Sequence, residues 1–404
     1  MLPFISFDYR VFQKLRYEAL RVTCAISSGS DAVVRVLLDE GLLRRIKLAM
    51  VDSIVSSEEF SVIVITMGNI SGSSKINEIV SKVISSGVMQ NILVDTHRYY
   101  ENREVIENLC FLFSNFMRAI NYEKNFDYKS FVSEMYNCIN SVSSPSEKTI
   151  SDLVWGTAMF LDSKKDASKH VEHLHSLNVI SDLLDHYLHG AYTKELDAPY
   201  SRILSCFSYH FELCGEYLSQ DVIKVIPSLM KKVISKLDSL DPGIRLSYYR
   251  TLNHLLCSPQ AQELMEQYLN PVCCLGLIKL LGKDCHDSQC EILEVIHHIL
   301  VVFRRRVVLD ILQATDSVRS LILTQLLLTT LFGMLDRRTS SRQVLLVLAN
   351  IRDMVYISKQ VDLDSLAEVI STDFRMILET AAEHHRDQSA GLLVDEILRI
   401  CEGL

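Results

Sequence analysis

The sequence has few of the residues that interrupt regular structure. Only 14 glycines and 7 prolines occur in 404 residues, whereas β-sandwiches and α/β enzymes of this length spend more of both on turns and Gly-rich loops. Their scarcity argues against those classes and favours helices joined by short polar turns. Hydrophobic residues make up 48% of the chain, which is sufficient to bury a large continuous core.

Motifs of catalysis and metal binding are also missing. The sequence contains no Gly-rich phosphate loop, no nucleophile elbow, no His-Glu-x-x-His and no pair of carboxylates in a Gly-bounded loop. The histidines between positions 170 and 189, and the group Cys285, His286 and Cys290, lack the paired spacing of zinc ligands. The sequence therefore predicts a protein that is not an enzyme and that binds neither a cofactor nor a metal.

Long apolar runs and an excess of positive charge are absent as well. The most apolar stretch, residues 321–335, is only about 15 residues long and contains Gln325, so we expect no membrane insertion. The net charge of −9 argues against nucleic acid and favours a basic partner. The first residues, MLPFISFDYR, do not resemble a signal peptide. We therefore expect reduced cysteines in a protein of the cytoplasm or nucleus.

Apolar residues recur at helical spacing along nearly the whole chain, and the helices repeat. Aligning the longer helices on one position, here called the ladder position, selects Ala25, Asn69, Asn115, Met159, Tyr209, His254, His298 and Asn350. Successive ladder positions are 44, 46, 44, 50, 45, 44 and 52 residues apart. Armadillo and HEAT repeats have periods of roughly 40–47 residues. The pattern predicts an all-α fold, a right-handed α-solenoid of about eight or nine armadillo-like repeats, as one domain over residues 1–404.

Short motifs at these positions resemble the armadillo domain of the importin-alpha (karyopherin-alpha) family. Residues 66–72, TMGNISG, are similar to its Ala-Leu-Gly-Asn-Ile-Ala-Gly repeat, and residues 152–162, DLVWGTAMFLD, to its Ala-Cys-Trp-containing repeat. Residues 112–117, LFSNFM, are similar to its Leu-Ser-Asn-Leu repeat. The resemblance implies an adaptor that binds nuclear localisation signals, which are Lys/Arg-rich segments of cargo proteins, in a concave groove for import into the nucleus. It also implies importin-beta or an export receptor as partners.

The resemblance further implies which residues contact the peptide. An Asn at the ladder position offers a donor and an acceptor to an extended backbone, and a Trp one turn earlier packs on the stem of a Lys or Arg. The matching residues of this chain are Asn69, Asn115, Asn350, Trp155, Phe111 in place of Trp, Gly29 in the first loop, and Glu291 beside a later repeat. The best-preserved part of the groove lies in the N-terminal half of the chain.

The chain departs from the family pattern at most of these positions. Five of the eight ladder positions lack Asn and seven of the eight Trp positions lack Trp, and Ser73 stands where the family has an aspartate. The family's basic importin-beta-binding segment has no counterpart, so we expect no separate domain of that kind. In an alternative interpretation, the asparagines lie on the helix surface or are held against a neighbouring repeat. Trp155 and Phe111 are then core residues. The alternative function is a degenerate armadillo scaffold that binds another protein without recognising nuclear signals.

Overall fold

The computed structural model confirms that the protein is all-α. It is 87% helical, with 19 α-helices and no strand in the described part of the chain. The structure describes residues 2–6, 9–52, 55–73, 76–119, 126–162, 167–190, 194–213, 220–237, 239–257, 271–281, 284–302, 331, 334–335, 340–360, 372–385 and 388–402. None of the helices in these ranges is long and apolar enough to cross a membrane. Most of the apolar stretch 321–335 lies outside them.

Where consecutive helices are described without a gap between them, they follow one another with short connections. In chain order they are α1 (Tyr9–Ser27), α2 (Asp31–Asp39), α3 (Leu42–Asp52), α4 (Ser57–Ser71), α5 (Ile76–Ser86), α6 (Val88–Thr96), α7 (Arg103–Phe116), α8 (Tyr128–Asn140), α9 (Glu147–Leu161), α10 (Ala167–Ser176), α11 (Val179–His189), α12 (Asp197–Leu213), α13 (Gln220–Ser235), α14 (Pro242–Cys257), α15 (Pro271–Leu281), α16 (His286–Val302), α17 (Ser341–Gln360), α18 (Thr372–His385) and α19 (Gln388–Glu402). Short 3-10 helices cover Leu2–Ser6, His97–Tyr99, Met117–Ala119 and Lys194–Leu196.

The chain divides into two compact units, residues 1–203 and 204–404. In unit 1 the long helices α1, α4, α7 and α9 pack on one another in that order. In unit 2 the helices α14, α16, α17 and α19 pack successively in the same way. We call these eight the stacking helices. The continuity of one array over the whole chain stays a prediction.

Capping residues place the starts of the stacking helices in phase with the repeat. The side chains of Ser56, Asn102 and Ser146 accept hydrogen bonds from backbone N–H groups at 3.3, 3.2 and 3.2 Å. Asp241 does the same for Ile244 at 3.2 Å in unit 2. Each of the four caps stands thirteen residues before a ladder position. Because a cap satisfies an N–H that the helix itself leaves unpaired, it fixes where the helix begins.

Hydrogen bonds between successive repeats join residues about one period apart. The Tyr99 hydroxyl donates to the Val55 carbonyl at 2.6 Å, 44 residues earlier. Lys82 donates to Asp39 at 2.9 Å over 43 residues. In unit 2, Ser208 and His254 are 3.3 Å apart over 46 residues. Since the same separation recurs in the contacts, the predicted helical repeat is confirmed as the unit of packing.

Candidate peptide-binding surface

Four of the predicted peptide-binding residues lie on stacked helices of unit 1. Asn69 is on α4, Phe111 and Asn115 are on α7, and Trp155 is on α9. All four are half-buried, so each keeps part of its side chain in contact with solvent. We call the surface defined by these four residues the ladder surface. Its geometry follows from the repeat, because α4, α7 and α9 pack in succession.

The Phe111 ring lies against the backbone of α4. A Cβ at Gly68 would come within 2.6 Å of two ring carbons of Phe111, so a residue larger than glycine there would displace the ring. Lys148 of α9 places its Nζ 5.9 Å from the ring centroid. That distance is within the cation–π range of about 6 Å. Phe111 is therefore already in contact with a cation from the next repeat.

Trp155 has the same arrangement one repeat later. The guanidinium carbon of Arg202, on α12, lies 5.6 Å from the Trp155 ring centroid. Arg202 is exposed, and Trp155 is half-buried. A guanidinium stacks well on an indole, the aromatic ring that attracts cations most strongly. The ring is thus neither ordinary buried core nor an empty surface, because a side chain of the same unit occupies it.

The amide of Asn69 is bonded to the preceding repeat. Its Nδ2 donates to the Ser27 hydroxyl at 3.1 Å and to the Cys24 carbonyl at 3.3 Å, both on α1. These bonds use both N–H donors of the amide and hold α4 against α1. They correspond to the alternative in which the asparagine is held against a neighbouring repeat. The carbonyl oxygen remains the part of Asn69 that offers an acceptor to a ligand.

Asn115 is bonded within its own helix and to a nearby cation. Its Nδ2 donates to the Phe111 carbonyl at 3.2 Å, and its Oδ1 accepts from Arg118 at 3.2 Å. The same guanidinium nitrogen of Arg118 donates to the Ser71 carbonyl at the end of α4, at 3.0 Å. Arg118 therefore bridges two stacking helices across the side chain of Asn115.

Asp152 supplies a partly buried carboxylate on α9, three residues before Trp155. Ser114 donates to it at 3.4 Å, and its second oxygen is buried without a hydrogen-bond partner in the described part of the chain. Burial raises the pKa of Asp152, an effect that the nearby Lys148 ammonium and the Ser114 hydrogen bond oppose. A basic group that approached this carboxylate would stabilise its charged form.

Gly29, in the turn after α1, and Ser73, just after α4, both form hydrogen bonds within unit 1. Gly29 is exposed in the turn, and its N–H donates to the Ile26 carbonyl at 3.0 Å. Ser73, which replaces the family's aspartate, donates to the carboxylate of Asp31 at 2.6 Å. Asp31 begins α2, so a carboxylate of the preceding repeat lies next to Ser73.

In unit 2 the two predicted contact residues are engaged inside the protein. Asn350 is fully buried, and its Nδ2 donates to the Leu293 and Leu346 carbonyls at 3.1 and 2.8 Å. The prediction that Asn350 contacts a peptide is therefore wrong for this structure, because the amide lies between α16 and α17. Glu291 accepts from Arg250 at 3.0 Å, so its carboxylate is paired with a cation of the same unit.

Comparisons with known proteins identify the fold and nothing finer. No protein-family model matches the sequence, and no curated protein matches it at a significant level. Among solved structures, the chain is similar to an engineered protein from the Northeast Structural Genomics Consortium, with a TM-score of 0.60 over 99% of this chain and 98% of the other. The two sequences are 11% identical. That likeness supports the helical-repeat fold alone.

Sequence reasoning missed the cations of the ladder surface. Lys148 and Arg202 contact Phe111 and Trp155 across 37 and 47 residues, and Arg118, in the 3-10 helix after α7, donates to the Ser71 carbonyl at the end of α4. The sequence offers one usable signal, since Lys148 stands in the first turn of α9 and Arg202 in the second turn of α12. No group of His, Cys, Asp or Glu that could hold a metal ion occurs among the described residues.

Proposed function

We propose that this chain is a helical-repeat adaptor whose ladder surface holds an extended, Lys/Arg-containing segment of another protein. The observation that carries the proposal is the cation on each aromatic ring. Lys148 lies 5.9 Å from the Phe111 centroid and Arg202 lies 5.6 Å from the Trp155 centroid. Both rings hold a basic side chain of the protein itself, so both have the geometry to attract a basic side chain of a ligand that displaces it.

The charges around the rings fit the same kind of ligand. Asp152 places a partly buried carboxylate three residues before Trp155, which favours positive charge nearby, and Asp31 places another beside Ser73. The Oδ1 of Asn69 offers an acceptor for a peptide N–H. Several weak contacts of this kind along one extended segment add up to useful affinity, since the later contacts form at high effective concentration.

The cations of the chain compete with a ligand for these sites. The Arg202 side chain already lies on the face of Trp155. A peptide arginine therefore contacts that face only by displacing Arg202. A cation–π contact contributes about 0.5–2 kcal/mol, which corresponds to a factor of roughly 2–30 in affinity. We therefore expect weak binding by the unaltered chain and stronger binding when the tethered cation is removed.

A peptide titration tests this function. We expect a fluorescently labelled Lys/Arg-rich peptide to bind Arg202→Ala about 2–30 times more tightly than the unaltered chain, because the Trp155 face becomes open. The increase should vanish in Arg202→Ala combined with Trp155→Ala. The measurement is fluorescence anisotropy at fixed salt, with binding to a charge-matched peptide of scrambled order recorded in parallel.

The control for this titration is Lys82→Ala. Lys82 is an exposed cation on α5 that pairs with Asp39, so its removal changes the net charge equally and leaves the ladder surface intact. If Lys82→Ala increases the affinity as much as Arg202→Ala, the gain is general electrostatics and the Trp155 site is wrong. Absence of saturable binding in all variants would refute the proposed function.

A second candidate is a scaffold that binds a protein partner without recognising basic signals. The observation in its favour is that the amide nitrogens of Asn69 and Asn115 and the carboxylate of Glu291 are all bonded internally. In the adaptor function, the protein passes between cytoplasm and nucleus with importin-beta or an export receptor. Recovery of such a receptor together with basic cargo on affinity purification favours the adaptor, whereas a partner retained without either favours the scaffold.

A further inference from the structure

Helix α1 exposes an apolar stripe. Leu15, Val22 and Ile26 are 43%, 47% and 36% exposed. They are seven and four residues apart, so they lie on one line along the helix. The opposite face of α1 is buried and includes Leu20 and Thr23. The stripe is therefore a second apolar surface on a helix that already packs on α4.

The repeat register shows what this stripe is for. The ladder intervals of 44, 46 and 44 residues place Val22 in register with Thr66, Leu112 and Gly156, and Ile26 in register with Ile70, Phe116 and Phe160. All six of these residues are buried, and five of them are completely inaccessible. The same two positions are thus covered in α4, α7 and α9 and uncovered in α1.

Direct contacts identify what covers these positions in the later repeats. Glu59, in register with Leu15, forms its ion pair with Arg16 of α1. Gly156, in register with Val22, lies against the Phe113 ring of α7, which fills the space that a side chain on Gly156 would need. In both cases the covering group belongs to the preceding stacking helix. The stripe on α1 is therefore a helix-stacking face that no stacking helix covers in the described part of the chain, although the 3-10 helix Leu2–Ser6 also packs on α1.

We infer that a second copy of this chain covers this face, with α1 packed against α1 about a two-fold axis. The stacking interface inside unit 1 is continuous with the stripe, and it shows that this face accepts a long helix. A two-fold axis makes the two helices antiparallel, so the Leu15 end of one lies against the Ile26 end of the other, with Val22 near the axis. The charges beside the stripe suit this arrangement.

Glu18 and Arg21 are exposed along one edge of the stripe, where they pair with each other at 3.4 Å within α1. In an antiparallel pair whose centre lies near residue 20, Glu18 of each copy comes beside Arg21 of the other. One helix of 19 residues per copy is a small interface. We therefore expect a reversible dimer with a dissociation constant on the order of micromolar.

Sedimentation velocity over a concentration series tests the dimer. We expect the full chain to pass from monomer to dimer between about 1 µM and about 100 µM, and Val22→Glu to remain a monomer throughout. The milder double variant Val22→Ala with Ile26→Ala should weaken the dimer at least tenfold. Circular dichroism checks that each variant keeps its helices.

The matched control is Val36→Glu, since Val36 is a 61% exposed valine on α2, outside the stripe. It should dimerise like the unaltered chain. A chain that is monomeric over the whole series overturns the inference. So does a dimer that Val22→Glu leaves intact, or one that Val36→Glu disrupts equally, because the interface would then lie elsewhere.

Discussion

Replacement of Arg16 by Met is expected to destabilise unit 1 by about 3–5 kcal/mol. The Arg16 guanidinium makes two hydrogen bonds to the Glu59 carboxylate, at 2.8 and 2.6 Å. The two side chains are 1% and 0% exposed, so water does not replace the lost partner. Removal of the cation leaves a buried carboxylate whose remaining hydrogen bond among the described residues comes from the Ser56 backbone N–H of the α4 cap, at 3.1 Å.

Fluorescence of Trp155 in guanidinium chloride measures this effect, because the chain has one tryptophan and it lies in unit 1. Adding Glu59→Gln to Arg16→Met should restore a large part of the stability. Gln carries no charge and still completes the capping box with Ser56. The comparison separates the destabilisation caused by the unpaired Glu59 charge from the destabilisation caused by the lost packing of Arg16.

The matched control for Arg16→Met is Lys82→Met. Lys82 and Asp39 also form an ion pair between successive repeats, but their side chains are 58% and 67% exposed, so the loss should be at most about 1 kcal/mol. Equal losses in Arg16→Met and Lys82→Met would contradict the role assigned to burial. An Arg16→Met variant as stable as the unaltered chain would contradict the ion pair itself.

Local signals in the sequence were sufficient to predict the helices and their repetition. The helices follow from apolar spacing; their starts were not predicted from the sequence, although the caps that set them in the structure, such as Ser56 and Asn102, act within one turn. Repetition then placed Asn69 and Asn115 at equivalent positions on stacked helices. Each of these features depends on residues that are close in the chain or one period apart.

The partners of the ladder side chains could not be predicted in the same way. Asn350 looks like Asn69 in the sequence, yet it is fully buried against α16 while Asn69 is half-buried. The interval before Asn350 is 52 residues and the interval before Asn69 is 44, so the regular period no longer fixes the packing there. The cations on Phe111 and Trp155 depend on long side chains reaching between helices, and apolar patterning carries no information about them.

The substitution Gly156→Ala is expected to destabilise unit 1 by about 1–3 kcal/mol. Alanine is normally the better helix former, by about 1 kcal/mol. The substitution is therefore destabilising only if the packing of the added methyl group costs more than this gain. The added methyl group would overlap the Phe113 ring of α7. That ring is fully buried and also packs edge-to-face on Phe131, with centroids 5.5 Å apart, so it cannot move aside without disturbing its packing.

Gly391→Ala is the control, since Gly391 lies inside α19 and a Cβ there meets no atom within 4 Å. It should stabilise unit 2 by about 0.5–1 kcal/mol through helix propensity alone, measured by circular dichroism during denaturation. A double-mutant cycle of Gly156→Ala with Phe113→Leu should show coupling of at least about 0.5 kcal/mol, because the smaller side chain relieves the overlap. If Gly156→Ala stabilises the protein as Gly391→Ala does, α9 is stacked on α7 more loosely than the structure describes. Gly156 would then no longer show that the position of Val22 is tightly covered in the later repeats.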